Sequence, residues 1–85
     1  MLTQQSFSEK PILNPYYKQL VKKIIAKYGY RIKVTQNEIS KQLKVRPGAI
    51  FLIFQTLQAN DLLTYEYING TRKIYCISQD IIKHL

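Results

Sequence analysis

The chain holds one cysteine, one histidine, no tryptophan, three glycines and three prolines in 85 residues. A single cysteine makes no internal disulfide, which excludes a disulfide-stapled secreted fold and fits a reducing, cytoplasmic compartment. Cys76 and His84 fall in different expected elements. They form no CxxC or HExxH pattern and are too few to hold zinc. There is no glycine-rich phosphate loop and no pair of neighbouring carboxylates, so no enzyme, cofactor or metal is expected. The longest strictly apolar run, Ala49 to Phe54, has six residues, far short of a membrane span. No basic-then-apolar signal segment opens the sequence. Acidic residues are also scarce: five Asp plus Glu stand against 13 Lys plus Arg, a formal net charge of +8.

What is present excludes a disordered basic tail, because 46% of the residues are hydrophobic and 12% aromatic. At this length one domain is expected, with a core too thin for a deep substrate cleft. The positive excess points to a polyanion, most often nucleic acid.

Residues 1–13 are unpatterned and read as an N-terminal arm, leaving 14–85 as the domain. Asn14-Pro15 gives a helix start, with Asn as N-cap and Pro in the first helical position. Tyr17, Leu20, Val21, Ile24, Ile25 and Tyr28 follow as one apolar stripe, and Gly29 closes the helix. Tyr30 to Val34 alternates with period two, turning Arg31 and Lys33 outward. Thr35 to Glu38 is a capping box in which Glu38 is expected to reach back to the cap. It opens a short second helix burying Ile39 and Leu43. Pro47 opens a third, with Ile50, Ile53, Phe54 and Leu57 inward. Leu63 to Ile68 and Thr71 to Ile77 read as strands around Asn69-Gly70, a two-residue hairpin signal that sets Glu66 opposite Lys73. Ser78 caps a last turn carrying Ile81, Ile82 and Leu85.

Two short helices joined by a tight turn and followed by a hairpin make a winged helix-turn-helix. The class is α+β: three helices plus a small antiparallel sheet with a short wing. Winged helices bind DNA, bind RNA or dock proteins, so the fold leaves the function open. Charge placement speaks to the choice. Ten of the 13 basic residues lie between Lys10 and Arg46, and none lies from Pro47 to Thr71. The third helix, which in this motif enters the major groove, therefore carries no cation. Its outward Gln55 and Gln58 suit adenine, but nothing there grips guanine or phosphate. Candidate nucleic-acid contacts are Lys18 and Lys22 on the first helix, Arg31 and Lys33 after it, Lys41, Lys44 and Arg46 before the third helix, and Arg72 and Lys73 on the wing. Tyr65, Tyr67 and Tyr75 beside them either stack on unpaired bases or fill the sheet face. Phe51, Leu52 and Gln55 form an alternative protein-docking surface. A DNA-binding regulator of archaeal, viral or plasmid type, dimeric to read two half-sites, is a further alternative.

The stretch Val34 to Ile77 resembles the winged-helix family of small-subunit ribosomal protein twenty-five of eukaryotes and archaea. The resemblance rests on Val34-Thr35, Ile39-Ser40, Leu43-Lys44-Val45-Arg46, Leu57, Leu62-Leu63 and Ile74-Tyr75, without a gap over roughly half the chain. The Leu-Lys-Val-Arg block and the Ile-Tyr wing end are its more specific parts. It implies a structural protein bound to ribosomal RNA among other ribosomal proteins, with Lys44 and Arg46 as RNA contacts. The chain departs from that family in lacking a Lys-rich N-terminal tail, in a longer first helix and in carrying Phe51 near a usually basic position.

Overall fold

The computed structural model describes residues 11–70 and 72–85. Along the chain come α1 (Pro15–Tyr28), β1 (Arg31–Ile32), α2 (Gln36–Leu43), α3 (Pro47–Ala59), β2 (Leu63–Ile68), β3 (Arg72–Ile77) and a C-terminal 3-10 helix (Gln79–His84). The strands form one antiparallel sheet in the order β1-β3-β2. The architecture is a winged helix-turn-helix of α+β class, with α2 and α3 as the helix pair and β2-β3 as the wing.

Local chemistry sets each boundary. Asn14 accepts the Tyr17 amide at 2.7 Å through Oδ1, and Pro15 follows where a missing N–H costs nothing. Gly29, at φ 78°, donates its N–H to the Ile25 carbonyl at 2.8 Å and ends α1. Thr35 Oγ1 accepts the Glu38 amide at 3.1 Å and starts α2. The other half of the capping box is not made, because Glu38 Oε2 accepts instead from Gln42 one turn on, at 2.9 Å. The expected return of Glu38 to its cap is thus corrected. Lys44 closes α2 in the left-handed conformation, φ 58°, and Pro47 opens α3 three residues later.

The core lies where one stripe of each helix meets one face of the sheet. Leu20, Val21 and Ile24 of α1, Ile39 of α2, and Ile50, Ile53, Phe54 and Leu57 of α3 pack with Ile32, Leu63, Tyr75 and Ile77. Each such burial contributes about 1.5–3 kcal/mol against the entropy of ordering the chain. Phe54 and Tyr75 meet edge to face at 4.9 Å, tying α3 to the sheet. Tyr28, on the last turn of α1, has a hydroxyl that is buried with no partner among the described residues. Burial, and secondarily the charge of Glu38, hold that phenol above the usual tyrosine pKa.

Three expectations change here. Leu13, assigned to the arm, is 1% exposed and belongs to the core, with Ile12 packed beside it, so the domain begins before Asn14. The rest of the expected arm, residues 1–10, lies outside the described residues. The strand expected over Tyr30 to Val34 shrinks to Arg31–Ile32, because only those two residues pair with β3, opposite Cys76 and Tyr75. The wing register is also off by one. Ile68 pairs with Arg72, which leaves a three-residue connection rather than Asn69-Gly70 alone. Asn69 and Gly70 both keep positive φ, 55° and 72°. The shift sets Glu66 opposite Ile74 and Tyr67 opposite Lys73, so the expected Glu66–Lys73 pair does not form. Glu66 instead accepts from Arg31 at 2.9 Å, across β3.

Candidate nucleic-acid interface

The inward stripe of α3 is spent on the core, and its outward side carries no charge. Phe51 is 55% exposed, Leu52 48%, and Gln55 projects into solvent. Two larger depressions are each lined by cations, the first of them bordering this neutral helix. The first, about 770 Å³, is walled by the start of α1, the α2–α3 turn and the first half of α3, with Lys44, Arg46, Phe51, Leu52, Tyr16 and Tyr17 in its lining. The second, about 800 Å³, runs between the β1–α2 connection and the wing and is lined by Lys33, Arg72, Lys73, Tyr75 and Glu38. A smaller hollow of about 270 Å³ lies between them, lined by Gln55, Gln58, Tyr65 and Gln36 among others. Phe51 belongs to the first groove and the hollow, and Lys73 to the hollow and the second groove. Phe51 and Lys73 thus link the three depressions in series, a tract with Lys44 and Arg46 in the first groove, Lys33, Arg72 and Lys73 in the second, and Lys73 as the one cation lining the hollow.

The left-handed turn at Lys44 places two cations at the first end. It lets the chain reverse between α2 and α3 within three residues, which keeps Lys44 and Arg46 in one groove. At the other end the wing brings Arg72 and Lys73 beside Lys33. Among the described residues the only ion pairs are Arg31–Glu66 and Lys83–Asp80. No cation of the tract is ion-paired to a carboxylate among the described residues. Glu38, the one acid in the lining, is hydrogen-bonded to Gln42.

The wing cation is held differently from the rest. The Lys73 ammonium sits 4.4 Å from the centre of the Tyr65 ring, 5.7 Å from Tyr75 and 6.0 Å from Tyr67. Tyr65 in turn donates its hydroxyl to Gln58 Oε1 at 2.9 Å, a bond from the wing to α3. Gln58 is thereby engaged, whereas Gln55 is exposed in the same hollow. Of the three hairpin tyrosines, Tyr75 fills the core face, while Tyr65 and Tyr67 stand out at 38% and 61% exposure.

The expected site residues divide. Lys33, Lys44, Arg46, Arg72 and Lys73 line the tract, as do Phe51, Leu52 and Gln55. Lys41 is exposed on the last turn of α2, just before Lys44. Lys18 is half-buried and Lys22 exposed on α1, and neither lines the tract. Arg31 is engaged with Glu66. Tyr16 and Tyr17 are lining residues that sequence reasoning missed. Tyr17 was absorbed into the apolar stripe, and Tyr16 stands off that stripe, which was the available signal.

Such a surface offers cations for phosphate, amides for base edges and rings for stacking. Among the described residues no three His, Cys, Asp or Glu side chains gather to hold a metal ion. No helix among them is long and apolar enough to cross a membrane. Comparison with family models, with curated proteins and with solved structures gives no match to this chain.

Proposed function

We propose that the chain is a nucleic-acid-binding winged helix that grips the sugar-phosphate backbone with two basic clusters, one at the turn before the uncharged α3 and one between the β1–α2 connection and the wing. The observation that carries this reading is the tract itself: Lys44 and Arg46 at one end, Lys33 and Arg72 at the other, with no acid paired to any of them among the described residues. Backbone contacts position a protein without reading sequence, which suits a structural role better than operator recognition. Together with the resemblance of residues 34–77 to the ribosomal family, this favours ribosomal RNA of the small subunit, in the cytoplasm, as the target. Sucrose-gradient fractionation of native extract tests it: the chain is expected with small ribosomal subunits. Recovery only in free or DNA-bound fractions overturns the ribosomal assignment.

The exposed amide of Gln55 supports a second reading, a DNA-binding regulator that reads adenine from α3. That reading requires a defined palindromic site and loss of affinity on Gln55→Ala. Equal binding to random duplexes, unaffected by the substitution, counts against it.

A further inference from the structure

Four aromatic side chains among the described residues are exposed: Tyr16 at 57%, Phe51 at 55%, Tyr65 at 38% and Tyr67 at 61%. They come from three different elements, α1, α3 and β2, yet all four stand by the tract. Tyr16 and Phe51 line the first groove together with Lys44 and Arg46. Tyr65 lines the middle hollow with Lys73, and Tyr67 is the residue directly opposite Lys73 in the wing. Each ring thus stands beside a cation of the tract, Tyr16 and Phe51 in the groove of Lys44 and Arg46, Tyr65 and Tyr67 within 6.0 Å of the Lys73 ammonium.

From this co-location we infer that the nucleic acid bound here presents unpaired bases, which stack on Tyr16 and Phe51 at one end and on Tyr65 and Tyr67 at the other. The inference rests on the nucleic-acid reading and narrows it to a single-stranded or looped target. In a duplex the base faces are hidden in the stack, and a groove presents only donors, acceptors and methyl groups. An exposed ring meets at most a thymine methyl or a phosphate there, and no base face. An unpaired strand offers ring faces and phosphates in alternation, and proteins that hold such strands combine aromatic platforms with a positively charged path. The wing platform is also preset. Tyr65 is fixed by its hydroxyl on Gln58, by an edge contact to Tyr75 at 5.9 Å and by the Lys73 ammonium over its ring. Little ordering remains to be done when a base arrives.

The test is fluorescence anisotropy on the full chain, with labelled single-stranded RNA, single-stranded DNA and a blunt duplex, each of about twelve nucleotides, across a salt series. Single strands are expected to bind at least about tenfold tighter than the duplex, and Tyr67→Leu and Tyr16→Leu each to weaken them by about tenfold. The salt slope is expected to stay put, because no cation is removed. Tyr67→Phe, which keeps the ring, is expected to bind as the parent does. These positions are exposed, and unchanged circular dichroism confirms folding. Tighter binding of RNA than of DNA assigns the strand as RNA, and the reverse assigns DNA; either outcome supports unpaired bases. Duplex binding as tight as single-strand binding, or single-strand binding indifferent to both leucine variants, overturns the stacking inference while leaving the nucleic-acid reading in place. Absence of binding to all three probes at low salt overturns both.

Discussion

Lys73 holds its ammonium 4.4 Å from the centre of the Tyr65 ring, with the rings of Tyr75 and Tyr67 within 6.0 Å. A single cation thus sits against three aromatic faces on the core side of the wing. Such contacts are worth about 0.5–1 kcal/mol at partly exposed sites. They also fix where the charge stands, at the join between the middle hollow and the second groove. The hydrogen bond from Tyr65 to Gln58 links the wing to the neutral helix α3.

Cations on the tract should differ from cations elsewhere in how they respond to salt. Arg46→Ala and Arg72→Ala are each expected to weaken nucleic-acid binding and to lower the log–log salt slope by about one. Arg31→Ala is expected to leave that slope alone, since its guanidinium is engaged with Glu66 at 2.9 Å. Affinities measured between about 50 and 200 mM salt give the three slopes. Equal slopes for all three variants would sink the division of the basic residues into tract and non-tract.

Much of the fold was legible because its boundaries are set by neighbours in sequence. Asn14-Pro15, Gly29, Thr35 and Pro47 act on their own turns, and the helices start or stop where those residues say. What was not legible depends on contacts far along the chain. The wing register turned on whether the connection took two residues or three, and Asn69-Gly70 suits both. Leu13 carries no periodic signal of its own, and only the packed helices give it a place in the core. The site was legible in its charge, from the gap in Lys and Arg after Arg46, but not in its rings. Tyr16, Phe51 and Tyr67 lie 35 and 16 residues apart in sequence. Only the folded chain brings Tyr16 and Phe51 into one groove and sets Tyr67 opposite Lys73.

The burial of Leu13 makes the segment before α1 part of the domain. Leu13→Ala is expected to cost about 2–5 kcal/mol of unfolding free energy, as for other fully buried leucines. Ile82, 63% exposed on the C-terminal 3-10 helix, is the contrast. Ile82→Ala is expected to change stability by no more than about 0.5 kcal/mol. Urea denaturation followed by circular dichroism compares them. Equal small losses would place Leu13 outside the cooperative unit.

Tyr28 carries a polar atom that the fold leaves unpaired. Its hydroxyl is buried without a partner among the described residues, so Tyr28→Phe is expected to stabilise the chain by about 1 kcal/mol. The gain should grow with alkalinity. Burial and Glu38 raise the folded-state pKa of Tyr28 above its unfolded value. The stability tied to its protonated form is therefore complete below about pH 10 and is lost as the pH climbs through the folded-state value. The phenylalanine variant lacks this loss. Unfolding free energies of parent and variant at neutral pH and above about pH 10 test it, and a pH-independent difference would show that the phenol is not perturbed.

Lys44 is where the demands of the fold and of the site part company. It closes α2 in the left-handed conformation, at φ 58°, where glycine is the residue without strain. For an L-residue that conformation costs about 1–2 kcal/mol, and the greater chain entropy of glycine offsets about 0.5–1 kcal/mol of any relief. Lys44→Gly is therefore expected to leave stability unchanged or raise it by up to about 1.5 kcal/mol. The same change removes a cation from the first groove, so affinity for nucleic acid should fall and the salt slope should drop by about one. A more stable protein that binds less tightly would mean that a strained lysine stands at this turn because of what its ammonium holds. A more stable protein that binds as before, with the same slope, would remove Lys44 from the interface and leave Arg46 as the cation of that groove.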